Sequence, residues 1–206
     1  MNVELDDNKT FQVKSAITVN NLSSDIWNEL VFYFIPNAFT KENKPERMTS
    51  ASTFSITRVA INGEYTPFDL KNDILLLKPV NGMNAGAEAK VEIEYSMTIP
   101  EKGARLSESN GNFYLAQWYP MLAEYKNGWE KEDFSLTGES YHTDYSDFTV
   151  HYQVPQGYSV FSSAEQDAKE GTNNGTVSMK HIKEFYMAIV QNMMVKSTGL
   201  MVSPSE

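Results

Sequence analysis

Between Ala89 and Met97 every second residue is apolar. Ala89, Val91, Ile93, Tyr95 and Met97 alternate with Lys90, Glu92, Glu94 and Ser96. Successive side chains of an extended strand point to opposite faces, so such a run reads as a sheet strand with one buried and one wet face. The pattern recurs in TFQVKSAITV, where Phe11, Val13, Ile17 and Val19 share a face opposite Gln12 and Lys14. It recurs again in DFTVHYQVP, with Phe148, Val150, Tyr152 and Val154 opposed to Thr149, His151 and Gln153. No stretch of helical length shows a 3.6-residue pattern, and only a short helical turn near Asn37–Lys44 is expected. The expected fold class is all-β.

Turn signals punctuate these runs from end to end, as in a sandwich or an open, curved sheet. Asn62-Gly63 separates FSITRVAI from a second run and predicts a tight hairpin, because both residues tolerate positive φ. Asn81-Gly82, Asn127-Gly128, Gly157 and Asn174-Gly175 mark further turns or loops. TKENKPERMTSAS (40–52) reads as a surface loop around Pro45, and SAEQDAKEGTNNG (163–175) as a long hairpin connection. Neither has the length of an interdomain linker and no internal repeat occurs, so residues 1–206 are expected to form a single β domain.

Composition removes several classes of function. A formal net charge of −10 opposes binding to a phosphate backbone, which requires a basic surface. The chain has no cysteine, which excludes disulfides, thiolate metal sites and cysteine nucleophiles. Its longest apolar runs, LVFYFI (30–35) and DILLLKPV (73–80), have strand length rather than the roughly 20 residues of a membrane-spanning helix. MNVELDD lacks the basic and apolar regions of a signal peptide.

The segment from Gln117 to Val150 concentrates Trp118, Tyr119, Tyr125, Trp129, Phe134, Tyr141, Tyr145 and Phe148 in a stretch with little periodicity. Aromatic area is costly to leave in water, so this segment is either folded onto the domain or offered to a partner. Residues able to carry chemistry near it form no recognisable set. His142, His151 and His181 belong to no H-E-x-x-H motif, so a histidine metal site is not supported. Ser140 in GESYH lacks both the final glycine and the strand–turn–helix context of a nucleophile elbow. Glu130, Glu132, Asp133 and Glu139 beside aromatics leave a glycosidase open as one alternative. Asp144 and Asp147 have too few neighbouring oxygen ligands for an EF-hand-type calcium loop. Trp118, Tyr119 and Trp129 as a stacking platform leave another alternative open, a free-standing carbohydrate-binding or adhesion β-sandwich.

Several segments, in order and at fitting spacings, resemble the N-terminal domain of the aminopeptidase N family of gluzincin zinc metallopeptidases. In ELDDNKTFQVKSAITVNNLSSDIWNELVFYFIPNAF the matching positions are Leu5, Asp6, Lys9, Ile17, Asn20, Leu30, Phe32, Pro36, Asn37, Ala38 and Phe39. WYPMLAEYKNGW, GESYHTDYSDFTVHYQVPQGYSVFSSAE and KEFYMAIVQNMMVKS are similar to three later segments of that domain. The resemblance implies extended, curved antiparallel sheets packed as a saddle-like β-sandwich. It implies a non-catalytic domain that packs on a thermolysin-like peptidase domain, which would hold H-E-x-x-H, the zinc and a G-x-M-E-N loop. That domain would begin about where this sequence stops, at Glu206, so no enzymatic activity and no cofactor are expected of these residues themselves. The implied partners are the catalytic domain of the same polypeptide and a peptide substrate at the cleft edge. The cleft-rim loop of the family corresponds to RLSESNGNFYLAQ, with Glu108, Asn110 and Gln117 as candidates near a peptide's amino end. Trp118, Tyr119, Tyr125 and Trp129 are the candidates for packing against the partner domain. An extracytoplasmic or cell-surface location is the expectation, with the cytoplasm as the alternative.

Overall fold

Alternating sequence becomes ladder most directly in the two longest strands of the computed structural model, which describes residues 1–135, 138, 141–164 and 172–191. Phe11–Asn20 and Glu88–Met97 pair antiparallel along their whole length, from Phe11 opposite Met97 to Asn20 opposite Glu88. Phe11, Val13, Val91, Ile93, Tyr95 and Met97 turn inward and are buried, as their spacing predicts. On the wet face Glu94 lies opposite both Lys14 and Arg58 and pairs with each at 3.4 Å. Such exposed cross-strand ion pairs contribute about 0.2–1 kcal/mol, against about 1.5–3 kcal/mol for each large apolar side chain buried beneath.

Fifteen strands occur among the described residues. They are β1 (Asn2–Leu5), β2 (Phe11–Asn20), β3 (Leu30–Tyr33), β4 (Phe54–Ile61), β5 (Glu64–Tyr65), β6 (Phe68–Lys71), β7 (Ile74–Leu77) and β8 (Glu88–Met97), followed by β9 (Leu106–Ser109), β10 (Asn112–Leu115), β11 (Met121–Leu122), β12 (Ser146–Gln153), β13 (Tyr158–Ser162), β14 (Asn174–Ile182) and β15 (Met187–Gln191). A seven-stranded sheet runs in the order β14-β12-β1-β2-β8-β4-β5, and two four-stranded sheets run β13-β15-β10-β9 and β11-β3-β7-β6. The fold is an all-β sandwich of antiparallel sheets, with β1–β12 as a parallel exception that local pattern could not announce.

The smaller sheets cover the inner face of the large one. Phe11 meets Phe113 edge-on at 5.3 Å, Phe34 meets Tyr95 at 4.7 Å, and Tyr119 meets Phe148 at 5.0 Å. Strand β3 shows no alternation because it is buried on both faces. The helical turn falls on Ile35–Phe39, a 3-10 turn opened by Pro36, slightly ahead of its expected place. Asn62 and Gly63 take φ of 53° and 85° and close the β4–β5 hairpin as predicted. Residues 40–52 form the expected surface loop, closed at its ends by a bridge between Thr40 and Ser52.

Asn174-Gly175 is not a turn. Both residues are the first of β14, opposite Gln153 and Tyr152. A Cβ on Gly175 would lie 2.6 Å from the Tyr152 hydroxyl, so this glycine admits a neighbouring ring rather than bending the chain. Nor is 163–175 a hairpin connection: β13 pairs with β15 and β14 with β12, so the segment passes from one sheet to another. Its residues 165–171 lie outside the described residues, as do Glu139, Ser140 and residues 192–197.

Candidate functional site

The three rim candidates do not share one surface. Glu108 and Asn110 stand at the tip of the β9–β10 hairpin, where Asn110 and Gly111 have φ of 52° and 79°. Asn110 is exposed. Glu108 is held by its own turn: its Oε1 accepts the Gly111 amide at 2.7 Å and approaches Lys9 Nζ at 3.4 Å. Its side chain is 11% exposed. Gln117 follows the far end of β10, about 13 Å along the strand from the residue opposite Glu108 at ~3.3 Å per residue.

Gln117 is wholly buried, and its φ of 58° lies in the left-handed region. That conformation costs a non-glycine residue about 1–2 kcal/mol. It turns the chain out of β10 so that Trp118 and Tyr119 enter the core. The Gln117 Nε2 donates to Glu184 Oε1 at 2.8 Å, and the Tyr141 hydroxyl donates to the same oxygen at 3.0 Å. One residue on, the Phe185 amide donates to the Tyr119 hydroxyl at 2.7 Å. Gln117 Oε1 has no hydrogen-bond partner among the described residues. Glu184 thus becomes an exposed carboxylate steered by two neutral donors, which periodicity alone did not reveal because its partners lie 67 and 43 positions away.

The aromatic candidates divide by burial. Trp118 is 0% and Tyr119 2% exposed, so they have no ring face to stack on a sugar or on another domain. This corrects their expected role: they are packed into this chain's own core. Trp118 meets Tyr119 at 5.7 Å, and its carbonyl accepts the buried Tyr95 hydroxyl at 3.1 Å. Burial pushes the Tyr95 and Tyr119 hydroxyls well above the ordinary phenol range and keeps both as neutral hydrogen-bonding groups. Tyr125 and Trp129 are only half-buried, in a cluster with Trp27 whose ring centroids lie 4.7–5.2 Å apart.

Other chemistry finds no assembled site. His142, His151 and His181 are exposed, and His151 Nδ1 contacts Thr176 Oγ1 at 2.7 Å. Glu132 and Asp133 are exposed and Glu130 is half-exposed. Asp147 is used locally, accepting the His181 amide at 2.9 Å. Among the described residues no three His, Cys, Asp or Glu side chains come together to hold a metal, so these residues do not fit a zinc site and no step through zinc is assigned to them.

No protein-family model matches the chain, and no curated protein matches it significantly. Solved structures do. An M1 zinc metallopeptidase from Deinococcus radiodurans superposes with a TM-score of 0.56 at 11% identity, covering 91% of this chain and 39% of its own. A two-domain M1 zinc metallopeptidase bound to L-tryptophan gives 0.56 at 10% identity, covering 91% of this chain and 40% of its own. Yeast LTA4 hydrolase in complex with bestatin gives 0.52 at 12% identity, with coverage of 93% and 28%. At such identity the likeness is one of fold: this chain shares the β architecture of part of M1 zinc metallopeptidases. It spans about two-fifths of the length of the first two.

Proposed function

We propose that this chain is the N-terminal, non-catalytic β domain of an aminopeptidase N-like zinc metallopeptidase. The observation that carries the reading is the fold likeness, which takes in 91% of this chain but only 39% of the Deinococcus enzyme. The rest of such a protein would hold the zinc and the groups that activate water against the first peptide bond. This domain would pack against it and wall one side of the cleft. Of the four aromatic candidates, half-buried Tyr125 and Trp129 keep area for such packing, and Trp118 and Tyr119 do not. The β9–β10 tip, with exposed Asn110 and the turn-bound carboxylate of Glu108, is the element we assign to the peptide's amino end. A carboxylate there gains force toward a substrate ammonium once a second domain excludes water.

The test is an aminoacyl-anilide assay on two polypeptides, this chain with added zinc and the full reading frame of its gene. The expected result is no turnover by the chain and zinc-dependent turnover by the longer product. Hydrolysis by the chain alone, or a reading frame with no H-E-x-x-H after residue 206, overturns the proposal.

A further inference from the structure

Five asparagines stand directly before a glycine: Asn62, Asn81, Asn110, Asn127 and Asn174. Such a pair can modify itself, because glycine carries no Cβ to keep its backbone nitrogen from the asparagine side chain. The glycine nitrogen attacks the side-chain Cγ, a new C–N bond closes a five-membered succinimide, and the Cγ–Nδ2 bond breaks to release ammonia. Water then opens either carbonyl of the ring and leaves aspartate or isoaspartate. In sum, an amide and water become a carboxylate and ammonia. The step needs a glycine amide that donates to nothing and a side chain free to swing onto it.

Four of the pairs are held. Asn62 Oδ1 accepts the Lys90 amide at 2.8 Å, while the Asn62 amide donates to the Lys90 carbonyl at 2.8 Å. The Gly82 amide donates to the Pro79 carbonyl at 3.2 Å, and a Cβ on Gly82 would stand 3.2 Å from Ile26 and Asn28. The Gly111 amide donates to Glu108 Oε1 at 2.7 Å, and the Gly111 carbonyl accepts the Tyr158 hydroxyl at 3.0 Å. Asn174 and Gly175 are paired in β14 with Gln153 and Tyr152.

The pair Asn127-Gly128 is not held in this way. It forms the tip between Tyr125 and Trp129, which are joined by a β-bridge. Asn127 is exposed, and among the described residues its side chain makes no hydrogen bond and the Gly128 amide donates none. The tip is closed by the Lys126 amide donating to the Gly128 carbonyl at 2.9 Å, which leaves the attacking nitrogen free. Nothing lies within 4 Å of a Cβ built on Gly128. Backbone conformation does not make the difference, since Asn62, Asn110 and Asn127 have φ of 53°, 52° and 56°. Hydrogen bonding does.

We propose that Asn127 is a site of spontaneous backbone modification, converting to aspartate and isoaspartate ahead of the other four asparagines. Each conversion adds a negative charge to a tip where Glu124 already pairs with Lys126 at 2.9 Å. Isoaspartate also inserts a methylene into the main chain between Tyr125 and Trp129, whose rings both pack on Trp27. The modification therefore acts on the half-buried aromatic cluster and leaves the core untouched. It uses only this chain's own atoms and water, and does not rest on the peptidase reading.

The test ages the chain at mildly alkaline pH, folded and in denaturant. The five sites are followed by peptide mapping at low pH, with isoaspartate identified by electron-transfer fragmentation. A hydrogen bond that must open first slows the step about fivefold, so in the folded chain Asn127 is expected to react at least about fivefold faster than any other pair. In denaturant the five rates are expected to converge. A smaller lead in the folded chain, or no reaction at Asn127, overturns the proposal. The same lead in denaturant places the cause in the neighbouring residues rather than the fold and overturns it too. Asn127→Gln cannot close the five-membered ring, so the first acidic species on isoelectric focusing is expected to vanish, and its persistence counts against the assignment.

Discussion

Asp73 is the residue whose chemistry most opposes its place. It is 1% exposed at the head of β7, where its Oδ1 accepts the Phe134 amide at 3.0 Å and its Oδ2 has no partner among the described residues. Burial is the main cause that raises its pKa; the Phe134 amide pulls the other way and the Asp133 charge adds to the rise. A carboxyl with a raised folded-state pKa contributes stability fully below its unfolded value, and loses it as pH climbs through the folded value. Asp73→Asn keeps the acceptor for Phe134 and removes the charge. The Tm of the variant relative to the parent is expected to be more favourable at pH 7 than at pH 4, and an equal difference at both pH values would sink this account. The acid residue was visible in the sequence, but its burial was not. Nothing local to DILLL tells that Phe134, 61 positions away, closes over it.

At the scale of elements, two glycines in Asn-Gly pairs do different work. Gly63 has φ of 85° and open space around a built Cβ, so only its backbone conformation matters. Gly175 sits in β14 with the Tyr152 ring at 2.6–3.0 Å from where a Cβ would stand, so space is what matters there. Gly63→Asn is therefore expected to cost less than about 1 kcal/mol, the strain of a side chain at positive φ, which asparagine bears better than most residues. Gly175→Asn is expected to cost about 1–3 kcal/mol in chemical denaturation. Equal costs would contradict this assignment. The identical dipeptide misled the reading at 174–175 because a turn signal reports backbone freedom, and close approach of a ring uses the same residue for another reason. Strands β2, β8 and β12 were legible because each has one wet face. Strand β3, buried on both faces, was legible only as an apolar run. In β4 the inward residues break step between Ile56 and Val59, and the ladder absorbs the extra residue as a bulge between Ile56 and Arg58.

For the whole molecule the aromatic segment is decisive, because its rings hold the sheets together. Trp118 lies beneath the large sheet through Tyr95, and Tyr119 joins Phe148 of β12 to the Phe185 amide. Trp118→Ala is expected to cost about 3–5 kcal/mol, a large fraction of a domain's stability, while Trp129→Ala costs less because its ring is only half-buried. Titration with polysaccharides should leave tryptophan fluorescence without a saturable change. A saturable change abolished by Trp129→Ala would instead restore a carbohydrate-binding function.

Alternation of apolar and polar residues determined the fold class of this protein, because side-chain direction in a strand is a local property of the backbone. The Asn62-Gly63 turn was determined the same way, by the steric freedom of two residues. Tertiary structure alone decided which strands became neighbours, β1 beside β12 among them, and which aromatics left the surface. Those outcomes depend on contacts between residues tens of positions apart, which periodicity does not encode. The rim candidates show the division plainly. Glu108 and Asn110 share a hairpin tip because they are close in sequence, and Gln117 is buried because Glu184, Tyr141 and the core beyond them came to meet it.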